Sequence, residues 1–282
     1  MKSAKTVMFA VVAFLLFSCV SNVEEPAENL LSRARVEYEN GKYNNARILL
    51  DSIKIVSPKA YKTLREAEKL RRDAMIKENE RNVIFFEQEL QSLVAVRDSM
   101  TAGFDFNKDK RYQDRGYYTV PSQSIAQNVY NNFLRACVFE DGTMYLTSFY
   151  RGKSIRHKTL KLSSGDMYVA CENPFLERNY KDLGVNNERR DYRYGEDSGL
   201  VDFILVTQGE IAVELSGAKG KANYTLRESD AVAIRRVVEL SRVINSVKKV
   251  QEMLDEARYM LECLKRSEAR SSSLSSSSSS AE

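Results

Sequence analysis

The chain contains no tryptophan, a single histidine (His157), four prolines and four cysteines in 282 residues. With one histidine and no Cys-x-x-Cys pair, a zinc site has no ligand set to draw on. The twelve glycines are scattered at turns, so no glycine-rich loop is available to cradle a phosphate. Lys and Arg number 43 against 39 Asp and Glu, a net +4. That is too small for the electrostatic field that nucleic-acid binding relies on. The apolar stretch 7–17 is too short to cross ~30 Å of hydrocarbon as a helix. What remains is ordinary for a folded body with charged helices: 43% hydrophobic and 29% charged residues.

Lys2 and Lys5 precede "VMFAVVAFLLF" (7–17), the charge and core length of a signal peptide. "LFSC" (16–19) follows, with Leu16 three before Cys19 and the small Ser18 immediately before it. This stretch resembles the lipobox of bacterial lipoproteins, although Phe17 replaces the small or β-branched residue usual there. The resemblance implies that 1–18 are cleaved, that Cys19 carries a thioether-linked diacylglycerol, and that its amine is acylated, for example with palmitate. Two or three acyl chains hold a protein stably on a membrane. Residues 19–28, polar and containing Pro26, read as a tether. The implied location is the bacterial cell envelope, on the outer membrane rather than the inner, facing periplasm or exterior.

"ENLLSRARVEYENGKYNNARILLDSIKIVSP" (28–58) places Leu30 and Ala34 on one helical face, Gly41 at a turn, then Tyr43, Ala46, Leu50 and Ile53 before Pro58. The stretch resembles one tetratricopeptide repeat, with Arg33 where a large apolar residue is usual. One repeat cannot bury its faces alone, so the pair must pack on the following helix. From Lys59 to Met100 there is no Gly or Pro, and apolar residues recur at three and four. Ala233, Val237, Leu240, Ile244 and Val247 repeat that rhythm within 231–266. The two seams predict a coiled-coil-like antiparallel hairpin, 228–266 pairing with 60–100. The Ser-rich tail 267–282 is expected to be disordered.

Residues 102–227 between the arms read as strands. Asp141-Gly142 within "FLRACVFEDGTMYLTSFY" (133–150) is a strong hairpin signal. Further runs at 154–162, 167–172, 200–217 and 221–226 predict an antiparallel β sandwich or small barrel. The fold class is therefore α+β: an N-terminal helix pair and long helix (29–101), an inserted β module and a returning helix. The connection 173–199 is long for a structureless loop, so it is expected to be either functional or partly ordered.

Chemistry is sparse. Asp105, Asn107 and Asp109 alternate as in a calcium loop, but Lys110 replaces the turn glycine and Gly116 the bidentate glutamate. His157, between Arg156 and Lys158, reads as an exposed strand residue, so a Cys171–His157 dyad is disfavoured. Glu172, Asp202 and Glu210 read as solvent-face carboxylates. Cys137, Cys171 and Cys263 read as buried free thiols, with a Cys137–Cys171 disulfide as the alternative if their strands meet. Tyr117, Tyr118, Tyr192, Tyr194 and Arg190 are the candidate binding surface, being of types enriched at interfaces. The expected role is non-catalytic: a scaffold presenting its β module to an envelope protein, without a cofactor or metal. The alternative ligand is a glycan or peptidoglycan, stacked on tyrosines.

Overall fold

The computed structural model describes residues 24–111 and 113–278. Within them the protein is α+β, with five α-helices and two antiparallel sheets. The chain separates into two compact units, one formed by residues up to Glu87 and from Glu252 onward, the other by Gln88–Gln251. Cys19 and the segment before it lie outside the described residues.

The first unit is helical. In α1 (Glu24–Glu39) the buried Ala27, Leu31 and Ala34 recur at spacings of four and three, so they form one stripe. Gly41 adopts φ +71°, a left-handed turn that suits glycine, and leads into α2 (Tyr43–Val56). Ala46, Leu50 and Ile53 are the buried residues of α2. The pair closes on the start of α3 (Tyr61–Thr101), where Ala60 and Ala67 complete an apolar cluster with Leu31, Leu50 and Ile53. The alanines let backbones approach closely. The last helix, α5 (Glu228–Ser278), returns antiparallel in this unit: Arg258 pairs with Glu87 at 2.7 Å and Lys265 with Glu80 at 3.3 Å. Such exposed pairs contribute little stability but they report the register. α5 continues to Ser278, into the serine tract expected to be disordered. Extending an existing helix needs no new nucleus. Cys263, expected to be buried, is exposed on it.

The second unit is the β module. Its strands are β1 (Asp105–Asn107), β2 (Tyr117–Thr119), β3 (Phe133–Phe139), β4 (Met144–Gly152), β5 (His157–Ser164), β6 (Met167–Cys171), β7 (Leu176–Asp182), β8 (Val185–Arg193), β9 (Ala212–Gly217) and β10 (Gly220–Thr225). One sheet has the order β1-β2-β3-β4-β8-β7, the other β10-β9-β5-β6. Leu134, Ala136 and Leu146 of the first sheet share one core with Leu160, Leu162, Val213 and Leu215 of the second. Ile234, Val237 and Leu240 of α5 join the same core.

One expectation is corrected. Residues 200–206, read as strand, form helix α4 (Leu200–Val206), with Leu200, Val201 and Ile204 buried. A short apolar run carries no periodicity that separates strand from helix. Here Asp197 decides it, because its carboxylate accepts from the Val201 amide at 2.9 Å and satisfies the first turn. The connection 173–199 is mostly the β7–β8 hairpin, turning at Leu183-Gly184 with both φ positive.

The β3–β4 turn rests on α5. The Gly142 carbonyl accepts from Ser241 Oγ at 2.8 Å and Asn245 Nδ2 at 3.2 Å, and Gly142 sits at φ +83°. A Cβ there would meet Asn245 at 2.5 Å. Gly142→Ala is expected to lower stability by about 1 kcal/mol or more, read as a reduced urea midpoint. An unchanged midpoint would show that the turn is not held against the helix.

Candidate functional site

Two clusters carry the polar chemistry of the β module, on opposite faces of the six-stranded sheet. Strand alternation sorts them. On β8, Glu188, Arg190 and Tyr192 face inward, whereas Arg189, Asp191 and Arg193 face outward.

The inner cluster is centred on Glu188, which is 2% exposed. Its carboxylate accepts from Ser154 Oγ and the amides of Ile155 and Arg156 on one oxygen. The other oxygen accepts from the His157 amide and from His157 Nδ1, both at 2.8 Å. His157 Nε2 lies 2.9 Å from Ser148 Oγ. Burial lowers the imidazole below its ordinary value, with the Glu188 hydrogen bond opposing. The neutral ring therefore donates from Nδ1 and accepts from the serine. Burial raises the Glu188 pKa and the gathered donors more than offset it, leaving the carboxyl at about 2. Arg190, 1% exposed, donates from Nε to the His157 carbonyl at 2.6 Å, and from its other nitrogens to Arg178 O, Arg189 O and Asn179 Oδ1.

Ser148, His157 and Glu188 thus stand in the order of a serine–histidine–acid relay. Nucleophilic catalysis also requires that a substrate reach the oxygen. Ser148 and His157 are both 0% exposed, and neither lines any cavity described for the molecule. The cluster ties the chain where it passes from β4 in one sheet to β5 in the other.

The outer face carries a cleft of about 440 Å³. One wall is aromatic: Tyr117, Phe139, Tyr145 and Phe175 follow one another with centroids 5.6, 5.8 and 5.3 Å apart. The floor is a row across the strands, Arg135 opposite Thr147 and Thr147 opposite Asp191. Asp191 is paired: its Oδ1 accepts from Thr147 Oγ1 at 2.6 Å and Arg189 Nε at 3.0 Å, and its Oδ2 from Arg189 Nη2 at 3.1 Å. Arg135 differs. It is 5% exposed, its Nε has no hydrogen-bond partner, and among the described residues it makes no ion pair. Its guanidinium rests 5.1 Å from the centre of the Phe149 ring, which stacks on Phe133 at 4.7 Å. Burial depresses the guanidinium pKa. Burial also pushes the neighbouring Cys137 thiol up to about 11, so it stays protonated and unreactive.

Of the five residues expected to form a binding surface, only Tyr117 lines this cleft. Tyr118 points away and meets the Phe106 ring in a tilted contact, centroids 4.9 Å apart. Tyr194 donates to Asp202 at 3.0 Å. Arg190 and Tyr192 are buried on the inner face, where the Tyr192 hydroxyl donates to the Lys158 carbonyl at 3.0 Å and Arg190 lines a separate cavity of about 700 Å³. His157, expected to be exposed, is buried. Cys137 and Cys171 are free thiols on different sheets, so no disulfide joins them. The Cys171 thiol contacts the Asn173 carbonyl at 3.8 Å rather than His157. Asp109 is engaged by Arg111, and Glu210 accepts from Thr225. The signal overlooked was an arginine inside the apolar run "FLRACVF".

No helix among the described residues is long and apolar enough to cross a membrane. No family model matches the chain, and neither a curated protein nor a solved structure matches it.

The inner cluster makes stability acid-sensitive. Glu188, at about 2 against an ordinary 4.5, contributes stability that is present above pH 4.5 and lost as pH falls toward 2. The full contribution is about 3 kcal/mol. His157, depressed below 6.5, binds protons more readily when unfolded, so the decline starts below that pH. Glu188→Gln is expected to lower the urea midpoint at pH 7 and to flatten its pH dependence between 4.5 and 2. A variant with the parent's acid profile would contradict this assignment.

Proposed function

We propose that the protein is a non-catalytic envelope lipoprotein that docks a partner protein on the outer face of its six-stranded sheet. The observation that carries this reading is the outer cleft, where an aromatic wall meets a buried arginine without a counter-charge. Aromatic and arginine side chains around a desolvated centre are the composition of interface hot spots. The closure of Ser148 and His157 to solvent supports a structural rather than a catalytic role for the inner cluster. The alternative glycan ligand has weaker support, because of its four candidate tyrosines only Tyr117 lines the cleft. The proposed anchor is acylated Cys19, on the strength of "LFSC" (16–19) and its flanks.

A photo-crosslinking residue at Phe175, 60% exposed on the rim, is expected to capture one reproducible protein in intact membranes. The same residue at Met167, exposed on the other sheet, should not, and Tyr145→Ala should abolish the Phe175 adduct. Equal capture at both positions would count against docking on this face. Cys19→Ala is expected to abolish acyl labelling and membrane retention; persistence of both would overturn the anchor.

A further inference from the structure

We infer that the outer cleft is a carboxylate-binding site, in which Arg135 grips one carboxylate while the aromatic wall covers the ring-bearing or apolar body attached to it. The inference rests on the reading of this face as the binding surface and names the chemistry it selects.

Charge sets the valence of the ligand. On the floor Arg189 and Asp191 neutralise each other through a two-pronged contact, and Thr147 Oγ1 donates to the same Asp191 oxygen as Arg189 Nε. Arg115, at the rim, is paired with Asp141. Two lining arginines have no ion-pair partner among the described residues, Arg178 and Arg135. Arg178 lies at the exposed edge, where water screens it, and Arg135 on the floor, where burial leaves one desolvated charge for a ligand to balance. A carboxylate brings one negative charge, on two coplanar oxygens that match the guanidinium fork.

An open Nε alone does not mark a site, since Arg47 also has one while pairing with Glu78; Arg135 differs in having no ion pair either, among the described residues. Arg190 is buried to the same degree one strand pair away, and each of its three nitrogens has an acceptor. The fold can therefore satisfy an arginine fully when the side chain serves packing. Arg135 has its Nε open and lines a cavity, and its neighbouring thiol, Cys137, is protonated and brings no charge. The wall of Tyr117, Phe139, Tyr145 and Phe175 is long enough for a flat ring lying beside the carboxylate. The carboxylate belongs either to a free ring-bearing acid or to an acidic residue or chain terminus of a docked protein segment.

The test uses the full-length chain with 4-fluorobenzoate as probe, followed by its fluorine resonance, and 4-fluorobenzamide as the neutral match. The acid should bind at least about tenfold tighter than the amide, the factor that a charge-assisted fork supports. Arg135→Gln should weaken the acid by about tenfold or more, and Arg135→Lys, which keeps the charge but loses the fork, by less. Arg178→Gln, at the exposed edge of the cleft, should change it by less than about threefold. Equal binding of acid and amide by the unaltered chain, or an Arg135→Gln variant within twofold of the parent, overturns the inference. In the absence of probe, Arg135→Met should melt at or above the parent, because it removes an uncompensated buried charge. A lower melting temperature would make Arg135 a structural group and sink the assignment. The acid added to the Phe175 crosslinking experiment separates the sources. Loss of the protein adduct places the carboxylate on the partner. Arg135-dependent probe binding with an undiminished adduct assigns the site to a free acid and removes the docking reading instead. An adduct without Arg135-dependent probe binding leaves docking intact and defeats the carboxylate inference.

Discussion

The β module depends on one carboxylate. Glu188 gathers three backbone amides, a serine hydroxyl and an imidazole from the segment Ser154–His157, the stretch that carries the chain from one sheet to the other. Arg156 within that segment adopts φ +51°, a conformation that L-residues avoid unless their surroundings impose it. A carboxylate surrounded by converging N–H groups supplies that imposition. Once Glu188 is committed inward, strand alternation leaves no choice on β8. Arg190 and Tyr192 must also face the interior, and Arg189 and Asp191 must face out. The inner clamp therefore decides which residues the outer cleft receives.

The two buried arginines of this sheet show how differently the same side chain can be held. Arg190 is a hub of hydrogen bonds to carbonyls and a side-chain amide. Arg135 is held chiefly by a ring. A cation–π contact gives about 0.5–2 kcal/mol, while leaving a charge buried without a counter-ion costs several kcal/mol. The ring does not cover that deficit, so Arg135 is a point of stored instability. Deficits of this kind concentrate where binding happens, since the ligand supplies the missing term.

Much of the architecture was legible because it depends on local rules. Asp141-Gly142 announced its hairpin, and the sustained three-four rhythm of 60–100 and 231–266 announced two long helices. Reading failed where a partner lay far away in sequence. Arg156 and Lys158 made His157 look exposed, but alternation puts a strand's neighbours on the opposite side, and the partners of His157 are Ser148 and Glu188. Arg190 and Tyr192 looked like surface residues because the phase of β8 cannot be known until Glu188 is paired. The 200–206 run reads as a strand because Asp197, whose carboxylate accepts from the first turn of the helix, lies outside the run itself. Arg135 was in plain view, but its significance comes from what it lacks, and a missing partner is a property of three dimensions.

The stacking of Arg135 on Phe149 has a consequence for selectivity. A ring positions a guanidinium through its face and asks for none of the N–H groups in return. Held by acceptors, as Arg190 is, an arginine has spent its donors before anything arrives. Held by a ring, it keeps its donor array in reserve while its direction is already settled. Arg189 lies over the same ring at 5.4 Å, so two like charges share one aromatic support. Asp191 already answers the charge of Arg189, so of the two only Arg135 keeps its donors free, and discrimination among anions falls to the shape of its fork.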